Sequence, residues 1–97
     1  MYASIRRYEA NPGAEAEIAR RVDVGFVPII SNAPGFVAYY VVDAGNGVMT
    51  TVSIFQDQAG AEESTAMAAE WVKVNLTALV QGPPEITAGE VTVYKAA

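Results

Sequence analysis

A chain of 97 residues with 52% hydrophobic content carries enough apolar material for one compact core, so a single domain over residues 1–97 is expected. Its formal charge of -5, from 11 acidic and 6 basic residues with no basic run, argues against nucleic acid or an anionic membrane as a partner. The absence of Cys and His removes disulfides, thiolate nucleophiles, the usual neutral-pH general base, the commonest transition-metal ligand and the usual proximal haem ligand. No metal site is expected. No apolar stretch approaches the ~18 residues that suggest a membrane span, and Met1 leads directly into strand-like sequence, so a soluble, cytoplasmic protein is expected.

Tyr2 to Glu9 alternates as a strand does. Asn11-Pro12-Gly13 then reads as a helix start, with Asn11 as N-cap and Pro12 at the first helical position, followed by Glu15 and Glu17 where the helix dipole favours anions. Ile18, Val22, Phe26 and Ile29 fall at helical spacing and predict one amphipathic helix, loosened in its last turn by Pro28. Pro34 to Asp57 carries two β-rich runs around Asn46-Gly47, a strong hairpin signal because tight hairpin turns need positive φ. Asp57 is the expected N-cap of a second helix, with Met67, Trp71, Val74 and Ala78 as its stripe, widened by Ala68, Val72 and Leu79. Gly82-Pro83-Pro84 stops it, and Gly89 to Lys95 is the expected last strand.

Strand, helix, strand, strand, helix, strand is the order of an α+β, ferredoxin-like βαββαβ fold: a four-stranded antiparallel sheet with both helices on one face. The other face is left open, so a partner or a second sheet is expected to cover it. An even-length turn between Asp43 and Val48 sorts the hairpin into two sets. Val37, Tyr39, Val41, Val48, Thr50, Val52 and Ile54 are expected against the helices, with Ala3 and Ile5. Phe36, Ala38, Tyr40, Val42, Met49, Thr51, Ser53 and Phe55 are expected on the open side, with Ser4, Arg6, Tyr8, Thr92 and Tyr94. A bulge in any strand inverts the assignment beyond it.

On this reading Arg6, Tyr8, Tyr40, Ser53 and Tyr94 can hold a flat or partly anionic small molecule, the tyrosines as apolar walls with hydroxyl tips and Arg6 as a donor fork. The same residue types suit a dimer interface equally. Trp71 reads first as core. The Gly45-Asn46-Gly47 cluster is no phosphate loop, since it joins antiparallel strands and lacks the P-loop lysine.

Ile5-Arg6-Arg7-Tyr8 before Asn11-Pro12-Gly13, Pro34-Gly35-Phe36 opening the second strand, and Ser53-Ile54-Phe55 leading into an acidic helix with Trp71 resemble the dimeric α+β barrel superfamily. The resemblance is to its stand-alone domains grouped with antibiotic-biosynthesis monooxygenases. It implies a homodimer formed through the open sheet faces, often with a pocket between sheet and helices. Some relatives oxidise polycyclic phenols without a cofactor. Others degrade haem with an Asn, Trp and His set, which a chain without His does not reproduce. Quinone-forming members use Asn, Trp, Tyr and Arg around an aromatic substrate, and Trp71, Tyr8, Tyr40 and Arg6 are of similar types.

Two functions follow. One is a cofactor-independent monooxygenase acting on an aromatic or polyketide-like small molecule, with Arg6 stabilising a phenolate and Trp71 shaping the pocket. The other is a non-catalytic small-molecule-binding or accessory dimeric domain, suggested by the missing His, Cys and paired carboxylates.

Overall fold

In the computed structural model, which describes residues 1–97, four strands form one antiparallel sheet in the order β2-β3-β1-β4. They are β1 (Tyr2–Glu9), β2 (Phe36–Gly45), β3 (Val48–Phe55) and β4 (Glu85–Glu90). The first crossover contains α1 (Glu15–Arg21), a π-helical turn (Val22–Phe26) and α2 (Val27–Ile30), and the second contains α3 (Gln58–Asn75). Ile18, Val22 and Phe26 from the first crossover meet Ala68, Trp71 and Leu76 from the second over the same side of the sheet. This is the expected ferredoxin-like arrangement. No helix is long and apolar enough to cross a membrane.

The connection into α1 differs from expectation. Ala14 N–H donates to Asn11 O at 2.9 Å, and Gly13 has φ +81°, so Asn11 to Ala14 forms a tight turn of type II character with Pro12 and Gly13 at its centre. Helix α1 therefore starts at Glu15 without a side-chain cap, while Asn11 Nδ2 donates to Ala78 O at 2.8 Å and ties the turn to the end of the second crossover. Farther along, the Val27 N–H reaches back to Val22 O, closing a wide π turn. That turn inserts one residue into the helical repeat. The buried stripe consequently runs Ile18, Val22, Phe26 and Ile30, and Ile29 turns outward at 45% exposure.

The hairpin turn forms at Asn46 and Gly47, with φ of 55° and 80°. Asp43 pairs with Met49 and Gly45 with Val48, which leaves Ala44 as an extra residue in β2. Asp43 Oδ1 accepts from Gly45 N–H at 3.0 Å and holds this bulge. The extra residue inverts the expected relation between the strands. Tyr39 and Val41 do face the helices, but across from Ser53 and Thr51 rather than Val52 and Thr50. In β3 it is Met49, Thr51, Ser53 and Phe55 that are buried under the helices. β1 follows through its pairing with β3, so Ser4, Arg6 and Tyr8 also point inward. Ala3, Ile5, Val48, Thr50, Val52 and Ile54 occupy the open side with Tyr40 and Val42. Phe36 lies inward across from Phe55, with their ring centroids 5.9 Å apart.

Asp57 caps α3 as expected, accepting from Gly60 N–H at 2.8 Å. The inward side of α3 carries Ala61, Ser64 and Ala68, then the half-buried Trp71 and Val72, with Leu76 just past its end; Val74 and Ala78 are exposed. Small residues in the first half let α3 approach the sheet closely. The last strand lies earlier than expected. β4 pairs with β1 from Arg7↔Glu85 to Tyr2↔Glu90 and Val91 N–H adds a last bond to Met1 O at 2.9 Å, so the ladder ends before Val93 and Tyr94 arrive, and their β-favouring side chains have no neighbour to join.

Candidate functional site

Inside the layer between helices and sheet, Arg6 and Tyr8 from β1, Tyr39 and Val41 from β2, and Met49 and Thr51 from β3 form the floor of a cavity. Phe26 and Trp71 form much of its roof. Phe26 contacts both Tyr39 (ring centroids 5.7 Å apart, edge-on at 64°) and Trp71 (5.4 Å, tilted at 46°), so three aromatic rings brace one another. Gly25, within the π turn, lets the indole come close: a Cβ there would sit 3.0 Å from Trp71 Cζ2. The closed interior leaves about 20 Å³ for the centre of a water-sized sphere, which is room for little more than one water.

A larger groove of about 380 Å³ opens beside it, between α3 and the Gly82-Pro83-Pro84 segment that leads into β4. Arg6, Tyr8, Val72 and Val80 line both spaces. Arg6 thus stands in the wall between an enclosed aromatic cavity and a groove of mixed polarity. The groove adds Thr65, Ala69, Lys73, Thr77, Pro83, Pro84 and Ile86. Its position follows from the backbone: Asn11 N–H and Gln81 N–H bond to Leu79 O and Glu9 O at 2.9 and 2.7 Å, fixing the chain after α3 against the end of β1.

The electrostatics centre on Arg6. It is 2% exposed, no carboxylate pairs with it, and its Nη2 has no hydrogen-bond partner. Burial lowers its pKa, an effect partly opposed by Tyr8 and Tyr39, but a guanidinium remains charged. Tyr8 is raised by burial, against a lowering influence from Arg6. Tyr39 is pushed up to about 12 by burial and then by Tyr8, with Arg6 and Thr51 acting the other way. Thr51 is close enough to favour the Tyr39 phenolate slightly, yet Thr51 Oγ1 lacks a hydrogen bond of sound geometry. Both phenols stay protonated near neutral pH. The cavity therefore offers one fixed positive charge and hydroxyl groups, and no side chain that would act as a base at neutral pH. No cluster of three or more carboxylates is arranged to hold a metal ion.

Of the residues singled out in the sequence, Arg6, Tyr8 and Trp71 converge on this cavity. Ser53 lies on the same side of the sheet but in a polar seam beside it, where Ser53 Oγ donates to Ser4 O at 3.4 Å and Ser4 Oγ meets Thr65 Oγ1 at 3.3 Å. Tyr40 is on the opposite face at 57% exposure, and Tyr94 lies past the end of β4 at 65% exposure. Sequence reasoning missed Tyr39 and Phe26 as cavity residues, and put Met49 and Thr51 on a cavity wall of the open face instead of the helix side. The available signal was Gly45: a two-residue turn at Asn46-Gly47 does not need a further glycine, and its φ of +86° marks the bulge that turns Thr51 and Met49 inward.

Residues 1–69 match the family described as antibiotic biosynthesis monooxygenase. No curated protein matches the sequence. Among solved structures, a protein of unknown function from Nitrosomonas europaea, NE2512, shares 26% identity and superposes with a TM-score of 0.84, covering 99% of this chain and 93% of that one. A variant of SnoaB, a cofactor-independent oxygenase from Streptomyces nogalater, is 17% identical with a TM-score of 0.75, covering 96% and 94%. The ActVA-Orf6 monooxygenase of Streptomyces coelicolor, in complex with nanaomycin D, is 13% identical with a TM-score of 0.74, covering 99% and 91%. The latter two share the fold.

Proposed function

The chain belongs to the antibiotic biosynthesis monooxygenase family, and from that membership we propose that it is a homodimeric, cofactor-independent monooxygenase of an electron-rich aromatic small molecule. The observation that carries the reading is a buried, unpaired guanidinium at the edge of an aromatic cavity. Arg6 supplies the counter-charge for an anionic oxygen of the ligand, and Phe26, Tyr39 and Trp71 supply flat apolar walls. In the reaction the ring gives one electron to dioxygen, and the resulting radical pair combines at a ring carbon. Loss of that carbon's proton and of a ring hydroxyl's proton, together with the distal oxygen, as water leaves the two carbonyls of a quinone. One oxygen atom ends in the product and the other in water. The aromatic substrate supplies the electrons. Because both tyrosines hold their protons, the role of the chain is to bind, orient and keep water away from the ring.

The same reading assigns the open face of the sheet to a second copy. Ile5, Tyr40 and Val42 are exposed there beside half-buried Val48, Val52 and Ile54, an apolar surface that a monomer would leave in water. Two such faces, packed together, bury these side chains and leave the helix-side cavity of each subunit intact.

Oxygen uptake measured with a panel of naphthols and hydroquinones tests the activity. Quinone formation that depends on dioxygen, without added metal or flavin, is expected. Binding of these aromatics without oxygen uptake contradicts the enzymatic reading and favours a non-catalytic binding domain.

A further inference from the structure

We propose that the group Arg6 receives is the carboxylate of a flat organic acid, which reaches it from the groove between α3 and Gly82-Pro83-Pro84; this rests on the reading that an aromatic molecule binds beside Arg6. Three observations lead there. The closed cavity has space for about one water, whereas the groove provides about 380 Å³, so the body of a ligand belongs in the groove and only its head reaches the shared wall. Arg6 is buried on a chain with a surplus of acidic residues, yet none of them pairs with it. Its Nη2, and Thr51 Oγ1 nearby, are left without partners in the interior, where an unmet polar group is costly.

The chemistry of the missing partner follows from what surrounds it. A phenol would have to give up its proton on entering, and neither Tyr8 nor Tyr39 is in a state to take it. A carboxylic acid arrives already ionised at neutral pH. Its two oxygens match the planar fork of a guanidinium, which a single phenolate oxygen cannot do. At the head of the groove the one buried guanidinium neutralises one carboxylate. Pro83, Pro84, Ile86, Val72 and Val80 give the groove apolar walls for the rest of the molecule, and Lys73 lies in the same groove, where its charge draws anions toward Arg6.

Calorimetric titration with 2-naphthoate, and with 2-naphthamide as its neutral isostere, tests the proposal. The expected result is binding of the acid ~30-fold or more tighter than the amide, as for loss of one member of a buried charge pair. Arg6→Met should abolish the preference while raising Tm by several degrees, because an unpaired interior charge is replaced by an apolar side chain. Arg6→Lys keeps the charge without the fork and should bind the acid weakly. Ala69→Phe, which fills the groove and leaves Arg6 untouched, should weaken the acid by a similar factor. Arg7→Met, one residue away on the other side of the sheet, should leave binding unchanged. Equal affinity for acid and amide, or a lowered Tm for Arg6→Met with the preference retained, overturns the carboxylate site. Neutral naphthols that are oxidised by a chain that does not bind 2-naphthoate would overturn it too, while leaving the monooxygenase reading intact. Failure of every aromatic to bind overturns both.

Discussion

On the helix side of β1 and β3 the alternate residues are Tyr2, Ser4, Arg6, Tyr8, Met49, Thr51, Ser53 and Phe55, all buried except the half-buried Tyr2. On the other side they are Ala3, Ile5, Arg7, Glu9, Val48, Thr50, Val52 and Ile54, half-buried or exposed. The more polar set is inside and the more aliphatic set is outside, the reverse of a sheet that only stores a core against helices. The difference separates two tasks. An interior that keeps a guanidinium and several hydroxyls accepts a stability cost in return for a place where a ligand's polar atoms can be met. An exterior of β-branched side chains gains nothing from solvent and is suited to a second sheet.

The largest effect on the inner side should come from Phe26→Ala. Phe26 is 2% exposed and braces both Tyr39 and Trp71, so its loss should cost about 3–5 kcal/mol in denaturant unfolding. A cost near zero would mean that the aromatic layer is loosely held and not a formed wall. The next effect is on alkaline stability. Tyr39 ionises near 10 when unfolded and about 12 when folded, so the stabilisation is fully present below pH 10 and is lost as pH rises from there toward 12. Tyr39→Phe should flatten this alkaline limb in a series of Tm measurements; an unchanged limb would show that Tyr39 is not held in a dry interior. The smallest effect is expected from Thr51→Val, which removes a hydroxyl that bonds to nothing and preserves shape. Its stability should stay within ~0.5 kcal/mol of the parent or rise. A loss of more than ~1 kcal/mol would reveal a structural hydrogen bond and weaken the case that the hydroxyl awaits a ligand.

The order of elements was legible because it rests on local signals: alternation in β1, Asn46-Gly47 at the hairpin tip, and Asp57 as a cap. The sidedness of the sheet was not. It turns on Ala44, whose presence as an unpaired residue depends on how Gly45 and Asp43 settle in three dimensions and which moves every side chain of β3 to the other face, and on a second unpaired residue, Val37, which brings Phe36 inward. Ile5 and Val52 look like core by their side chains, yet they lie on the face away from the helices, the one proposed for a second copy. Ile29 was displaced by a π turn whose wide bond from Val27 N–H to Val22 O leaves no trace in hydrophobic spacing. Val93 and Tyr94 have strand propensity, but a strand needs a neighbour, and the ladder with β1 ends at the bond from Val91 N–H to Met1 O. Arg6 was recognised by its chemistry as a donor fork, whereas its burial and lack of a counter-ion belong to the folded chain alone.

Ile5 and Arg6 are consecutive residues on opposite faces, and sedimentation velocity of Ile5→Asp beside Arg6→Met puts the separation of tasks to its most direct test. The chain of 10.3 kDa and its Arg6→Met variant should sediment as dimers, and Ile5→Asp as a monomer, because a carboxylate in the centre of the aliphatic face cannot be buried against its own copy. A dimer that survives Ile5→Asp, or one that falls apart with Arg6→Met, would contradict the assignment of the outer face to assembly and the inner face to the ligand.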